Sequence, residues 1–353
     1  MAVYTTIDKP SDYFNTVLYS GTGSENAITG IGFSPNLVWI KGRDGSSDHR
    51  LVDTVRGATK ELYSSAATAE TTDAQGLKSF DSDGFTVGTS DQVNTNTETY
   101  VSWNWKCGTT SGIATNGSTT ITPSTYSFNQ TAGISIIEYT GNATAGAKVA
   151  HGLGAIPQVV FCKIVTPYTG DDWTTYNHIL GNTKNIPLNA TNAAGTSTTR
   201  WNDTSPDSVN ITLGTDSSVN QSGGTQIAYC FTEKKGFSKF GSYEGNDNAD
   251  GPFVYTGFRP ALVVIKAIDT TGPWVVVDDK RIESGSNYDN AVLFWDANTA
   301  EQTSNENHSL NLLSNGFKLT SADDWTNDPE TYVYMAFAEF PIVSSNDVPV
   351  VAR

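Results

Sequence analysis

Residues 32–51, GFSPNLVWIKGRDGSSDHRL, gather Lys41, Arg43, His49 and Arg50 around Asp44 and Asp48. Asp48 and His49 resemble half of an acid and base arrangement, but nucleophilic catalysis also needs an activated Ser or Cys and a group that orients the base. No Gly-x-Ser-x-Gly signature accompanies them. Three acidic pairs raise a second chemistry: Asp171 with Asp172 beside Trp173, Asp278 with Asp279, and Asp323 with Asp324 beside Trp325. A glycosidase holds two carboxyls about 5 to 9 Å apart across a cleft, with aromatic platforms for the sugar. Adjacent side chains diverge along a strand or turn. Hydrated turn carboxylates are therefore the plainer reading, and a glycan or Ca²⁺ site the sharper one. No run spaces ligands like an EF-hand loop, and neither a metal nor another cofactor is expected.

The elements that must position these residues repeat along the chain. A strand ending in Tyr-x-Gly occurs at Tyr19, Tyr139 and Tyr243, and after 16 to 18 residues each is followed by a Pro opening an apolar strand. A Lys follows six residues after each Pro: Pro35 to Lys41, Pro157 to Lys163, Pro260 to Lys266. The back halves agree less evenly. SDGFTVG around Phe85 and SNGFKLT around Phe317 precede the aromatic strands TYVSWNWK and TYVYMAFAEF, while the middle unit keeps the shape in SVNITLG and TQIAYCF. Self-similarity at such a period implies one supersecondary unit used three times.

The units are placed at 17 to 108, 134 to 236 and 239 to 341, with an N-terminal arm at 1 to 16 and a C-terminal tail at 342 to 353. The Gly, Ser and Thr content of 109 to 133 marks a linker, whereas the second and third units are joined so closely that their relation should be nearly fixed. Short strands between Gly, Asn, Asp and Pro clusters predict an all-β chain of three tandem β-sandwich or jelly-roll-like domains of about 100 residues each. In the last repeat, Tyr332, Tyr334, Ala336 and Ala338 alternate with Val333, Met335 and Phe337. Both faces are apolar, as expected for a strand buried centrally or at a domain contact. Only residues 53 to 67 hint at a helix, and Gly57 weakens the hint.

The repeat also bears on the opening stretch. The position of His49, eight residues after the repeat Lys, is Trp274 in the third unit, and the second has Trp173 ten residues after its Lys. A fixed strand followed by a varying loop reads first as a structural connection and second as a binding loop, because loops between sheet strands carry variable function. Arg43, His49 and Arg50 are then placed to form local ion pairs or to meet an acidic neighbour.

Composition narrows the function classes. With 353 residues the chain exceeds the usual size of a single core, about 250 to 300 residues. A net charge of −16 disfavours nucleic acid and anionic lipid as partners. The beginning has an early acid and lacks the apolar segment of a secretory leader, and no run approaches the length of a membrane span. The expectation is a soluble chain with no membrane insertion. Cys107, Cys162 and Cys230 are odd in number and widely spaced, which predicts buried free thiols.

The first 108 residues carry a resemblance. The series Phe-Ser-Pro, Trp-Ile-Lys-x-Arg and Asp-Thr-Val-Arg-Gly-Ala, followed by Thr-Tyr-Val-x-Trp-x-Trp-Lys, resembles virion structural proteins of aquatic tailed bacteriophages, often described as tail-fibre-like. The other units share it through the internal repeat. The resemblance implies a non-enzymatic β-rich module on the phage particle, assembled in the host cytoplasm with other virion proteins as partners. A tail appendage involved in host attachment implies trimeric assembly and aromatic tips that meet a host surface glycan. A capsid decoration protein is the alternative, and a depolymerising tailspike module a third. Were the loops to meet a receptor, Trp173 and Trp325 are the best anchors, with Arg43, His49, Arg50 and Trp274 as further contact candidates. The arm at 1 to 16, extended and containing Pro10, is expected to serve attachment to the particle.

Overall fold

The computed structural model describes residues 5–166, 170–281, 288–289, 291–303, 308–322 and 325–343. Asp323, Asp324, the first four residues and most of the C-terminal tail lie outside them.

The chain is all-β, built from several antiparallel sheets. Each repeat contributes one larger sheet with the same order. An opening strand (Phe14–Ser20, Ile134–Thr140, Ser238–Glu244) pairs with a closing strand (Thr99–Trp105, Thr225–Phe231, Thr331–Pro341). The closing strand pairs with a lysine strand (Leu37–Gly42, Val159–Thr166, Phe258–Ala267), and this with an outer strand (Arg50–Asp53, Thr174–Asn177, Val275–Asp278). Smaller sheets, such as Asn26–Thr29 with Gly84–Val87 and Ala147–Ala150 with Asn210–Leu213, cover one face of each larger sheet.

Strand alternation splits each larger sheet between two cores. Val38 and Ile40, Val160 and Cys162, and Val263 and Ile265 point into the interiors of their own units. The intervening Leu37 and Trp39, Val159 and Phe161, and Leu262 and Val264 meet in one central cluster fed by all three units. The same division places Tyr332, Tyr334, Ala336 and Ala338 inside the third unit and Val333, Met335 and Phe337 in the central cluster. The doubly apolar strand is thus explained by a contact between units. Trp39 stacks on Trp295 at 4.0 Å between ring centres, and Trp105 meets Phe231 and Phe337 edge-on, so aromatic rings of three units interlock at the centre.

The Tyr-x-Gly signature has a common mechanical cause. Tyr19, Tyr139 and Tyr243 donate their hydroxyls to the carbonyls of Val93, Val219 and Thr326 at 2.8, 2.7 and 2.6 Å. The glycine two residues later lies against backbone: a Cβ on Gly21, Gly141 or Gly245 would stand 2.0, 2.4 or 1.8 Å from a carbonyl oxygen. Asn94, Asn220 and Asn327 complete each lock by accepting from the backbone N–H of Thr22, Asn142 and Asn246.

Three expectations change. Residues 109 to 133 do more than link, because Thr125–Asn129 adds an edge strand to the second unit's larger sheet. Residues 53 to 67 form turns and a short strand instead of a helix, since the Asp53 carboxylate captures the N–H groups of Val55 and Arg56 and folds the chain back. The described part of the N-terminal arm is packed, not free: Ile7 is 2% exposed in the central cluster, and Thr5 lies against Gly236. All three cysteines are buried and free; Cys162 and Cys230 lie on neighbouring strands without a bond. Among the described residues no helix is long and apolar enough to cross a membrane.

Candidate functional site

The residues with chemical potential converge on the seams between units. Each repeat Lys is buried at the end of its lysine strand. Lys163 Nζ donates to Ala67 O of the first unit at 2.7 Å, and Lys266 Nζ to Thr191 O of the second at 3.2 Å. Lys41 folds onto its own loop, donating to Gly42 O at 2.6 Å, while Arg43 reaches the third unit in its place. Burial lowers all three amines to about 8, against the pull of nearby carboxylates.

His49, Trp173 and Trp274 make one contact three times over. Trp173 Nε1 donates to Tyr63 O of the first unit at 2.7 Å, and Trp274 Nε1 to Pro187 O of the second at 2.9 Å. The circle closes with His49 Nε2 and Phe294 O of the third unit, 2.8 Å apart. Trp39 Nε1 donates to His49 Nδ1 at 2.9 Å, so Nδ1 is the acceptor and Nε2 carries the proton. Burial, joined by the charge of Lys41, pushes the imidazole well below its usual pKa.

These placements correct the expected receptor contacts. His49 and Trp173 are fully buried and Trp274 is 2% exposed. They cannot reach an outside ligand, because their polar atoms and rings are committed to a neighbouring unit. Arg43 forms a two-pronged bond to Glu301, Nε to Oε2 at 3.0 Å and Nη2 to Oε1 at 2.7 Å. Glu301 also receives Arg281; burial would raise its carboxyl, yet the two guanidiniums hold it low. Arg50 stays within its unit, 3.1 Å from Glu61 and 4.2 Å above the Tyr63 ring. Glu61 is raised to about 7 by burial despite that partner. Trp325, like Arg43, is only partly buried, and it stacks on His308 with ring centres 4.4 Å apart.

The two described acidic pairs, Asp171 with Asp172 and Asp278 with Asp279, separate as adjacent side chains must, but they are not uniformly hydrated. Asp278 is fully buried and bound by Arg281 Nε at 2.6 Å. Asp279 turns away to Lys280 and is raised to about 7 by burial. Asp172 accepts from Asn189 at 2.7 Å. Among the described residues no group of His, Cys, Asp or Glu is arranged to hold a metal.

Two buried ion pairs escaped the sequence reading. Asp53 with Arg56 and Asp278 with Arg281 are each sealed by the closing strand of another unit: Tyr229 donates to Asp53 Oδ2 at 2.7 Å and Trp103 Nε1 to Asp278 Oδ2 at 3.0 Å. The signal was present as Asp-x-x-Arg twelve residues after the repeat Lys, in the first and third units. In the second unit the outer strand ends in Asn177, with Leu180 three residues on, and Met335 takes the place of Trp103 and Tyr229. Carboxylate, guanidinium and donor are lost together. That fits the high cost of leaving one member of a buried pair unmatched.

No curated protein and no solved structure matches the chain significantly. One family model, described as a domain of unknown function (DUF7483), matches residues 9–341. The match begins beside the short helix Pro10–Asp12 and ends with the last closing strand, so it takes in all three units and their shared core. The chain belongs to this family, the domain of unknown function DUF7483.

Proposed function

We propose that the protein is a non-enzymatic structural component on the surface of a tailed bacteriophage particle, serving as a tail-fibre or appendage module in attachment to the host. The observation that carries this reading is the commitment of the reactive side chains: His49, Lys163 and Lys266 bind a neighbouring unit, and the two Asp–Arg pairs are each sealed by another unit's closing strand. On this reading each unit is a jelly-roll-like sandwich, and three of them form a rigid body suited to life outside a cell. A homotrimer is not needed to close the core, because the chain supplies three sheets itself; a threefold partner on the particle is the natural seat.

Capsid decoration is the second reading, favoured by one observation. Trp173, one of the two expected glycan anchors, is fully buried. Labelling purified particles with an antibody to this chain tests both. Label on the tail supports the appendage, label on the head supports decoration, and its absence from particles overturns the virion assignment.

A further inference from the structure

Two asparagines in the chain precede a glycine, Asn116 in TNGST and Asn315 in SNGF. The side-chain amide carbon of an asparagine and the next backbone nitrogen can close a five-membered ring, and a following glycine, lacking Cβ, leaves that nitrogen the freedom to swing in. The fold treats the two sites in opposite ways. Asn315 closes the hairpin between Leu310–Leu313 and Gly316–Leu319, and its carbonyl accepts from Thr256 N at 3.0 Å and Gly257 N at 3.2 Å. Gly316 is buried and paired on both sides, with Leu313 and Tyr255, and a Cβ there would stand 2.0 Å from Val254 O. Its nitrogen cannot turn toward the Asn315 side chain without breaking that sheet.

Asn116 and Gly117 instead lie in an exposed turn of the segment ahead of the second unit. Asn116 Oδ1 accepts from Ser118 N at 3.0 Å, from Ser118 Oγ at 2.7 Å and from Asn210 Nδ2 at 3.2 Å. The bond to Ser118 N folds the side chain back over the Gly117 peptide, and three donors polarise its carbonyl. The Gly117 N–H donates to nothing among the described residues, and a Cβ on Gly117 would meet nothing within 4 Å. One exposed bond, from Thr119 N to Asn116 O at 3.0 Å, closes the turn.

We propose that Asn116 is a modification site, converted by water to aspartate and isoaspartate in the folded protein, while Asn315 is protected. Hydroxide takes the Gly117 amide proton, the nitrogen bonds to Asn116 Cγ, and the carbonyl electron pair moves to Oδ1, where the three donors meet the developing charge. The Cγ–Nδ2 bond then breaks, and the nitrogen takes a proton from water and leaves as ammonia. Water opens the cyclic imide at either carbonyl, giving aspartate or isoaspartate. Each event adds one negative charge to a chain already at −16. The isoaspartyl product also lengthens the main chain by one carbon inside the turn that Thr119 N closes. The inference is independent of where the protein sits on a particle.

Peptide mapping by mass spectrometry tests it on the full chain, incubated folded in mildly alkaline buffer and, as a control, in urea. In the folded chain the peptide holding Asn116 should gain a carboxylate, with isoaspartate resolved by fragmentation, while the peptide holding Asn315 stays unchanged. In urea both should react. G117A, which fits the open space at that position, should slow the reaction at Asn116 about tenfold, because a Cβ restricts the backbone that must swing onto Cγ. S118A, which keeps the backbone donor and removes the hydroxyl, should slow it severalfold. An unchanged Asn116 in the folded chain, equal rates at Asn116 and Asn315, or wild-type rates in G117A would overturn the site; a wild-type rate in S118A would overturn the part assigned to the donors.

Discussion

Trp103 Nε1 donates to Asp278 Oδ2 at 3.0 Å, joining the first unit's closing strand to the third unit's outer strand across 175 positions of sequence. Asp278 is in turn held by Arg281 at 2.6 Å with both side chains fully buried. The three residues form one electrostatic joint, and the seam between the second and third units dispenses with its counterpart.

That comparison predicts a mutational cycle. R281L alone leaves Asp278 charged, buried and unmatched, and should destabilise by about 3–5 kcal/mol. The triple variant W103M/D278N/R281L copies Met335, Asn177 and Leu180 of the second seam and should regain most of the loss, since Glu301 keeps its two bonds to Arg43. Urea midpoints measure both. A triple variant no more stable than R281L would show that the seams are not interchangeable.

Local spacing made the repeat legible: Tyr-x-Gly and Pro-to-Lys persist because a hydroxyl, a glycine against a carbonyl and a buried amine are needed in every unit. The apolar alternation of Tyr332 to Ala338 likewise foretold a two-faced strand. The partner of each side chain was not legible. His49, Trp173 and Trp274 resemble exposed loop residues because their acceptors are carbonyls far away in sequence, and a carbonyl leaves no mark in the letters. Nor could composition reveal that Thr125–Asn129, inside a Ser- and Thr-rich stretch, would find an unpaired strand edge.

The repeat lysines give stability a characteristic alkaline slope. With folded values near 8 against 10.5 for the free amine, the unfolded chain holds protons that the folded chain has shed. Stability therefore rises as pH climbs from about 8 toward 10.5. Glu61 and Asp279, raised to about 7, have ionised by the start of that window. Cys107, Cys162 and Cys230, pushed up by burial, oppose the trend above about pH 9. Urea midpoints should thus rise between about pH 8 and 9, and K266M should remove about a third of the rise. A midpoint that falls over this interval contradicts the buried-amine account.

His49 should behave as a neutral structural group. Its ¹⁵N shifts should report the Nε2–H tautomer, with the ring still neutral at pH 6.5, because burial depresses its pKa well below that value. In the unfolded chain it takes a proton near 6.5, so its contribution to stability is present above that pH and declines below it. A titration midpoint near 6.5 in the folded protein would mean that the bond to Phe294 O is open to solvent.

The central claim is that three units share one core and fold as one body, although 353 residues would ordinarily divide into separate domains. Differential scanning calorimetry of the full chain tests it most directly. The account predicts a single transition whose van't Hoff and calorimetric enthalpies agree. Two or three resolved transitions, each with the enthalpy of about 100 residues, would contradict it.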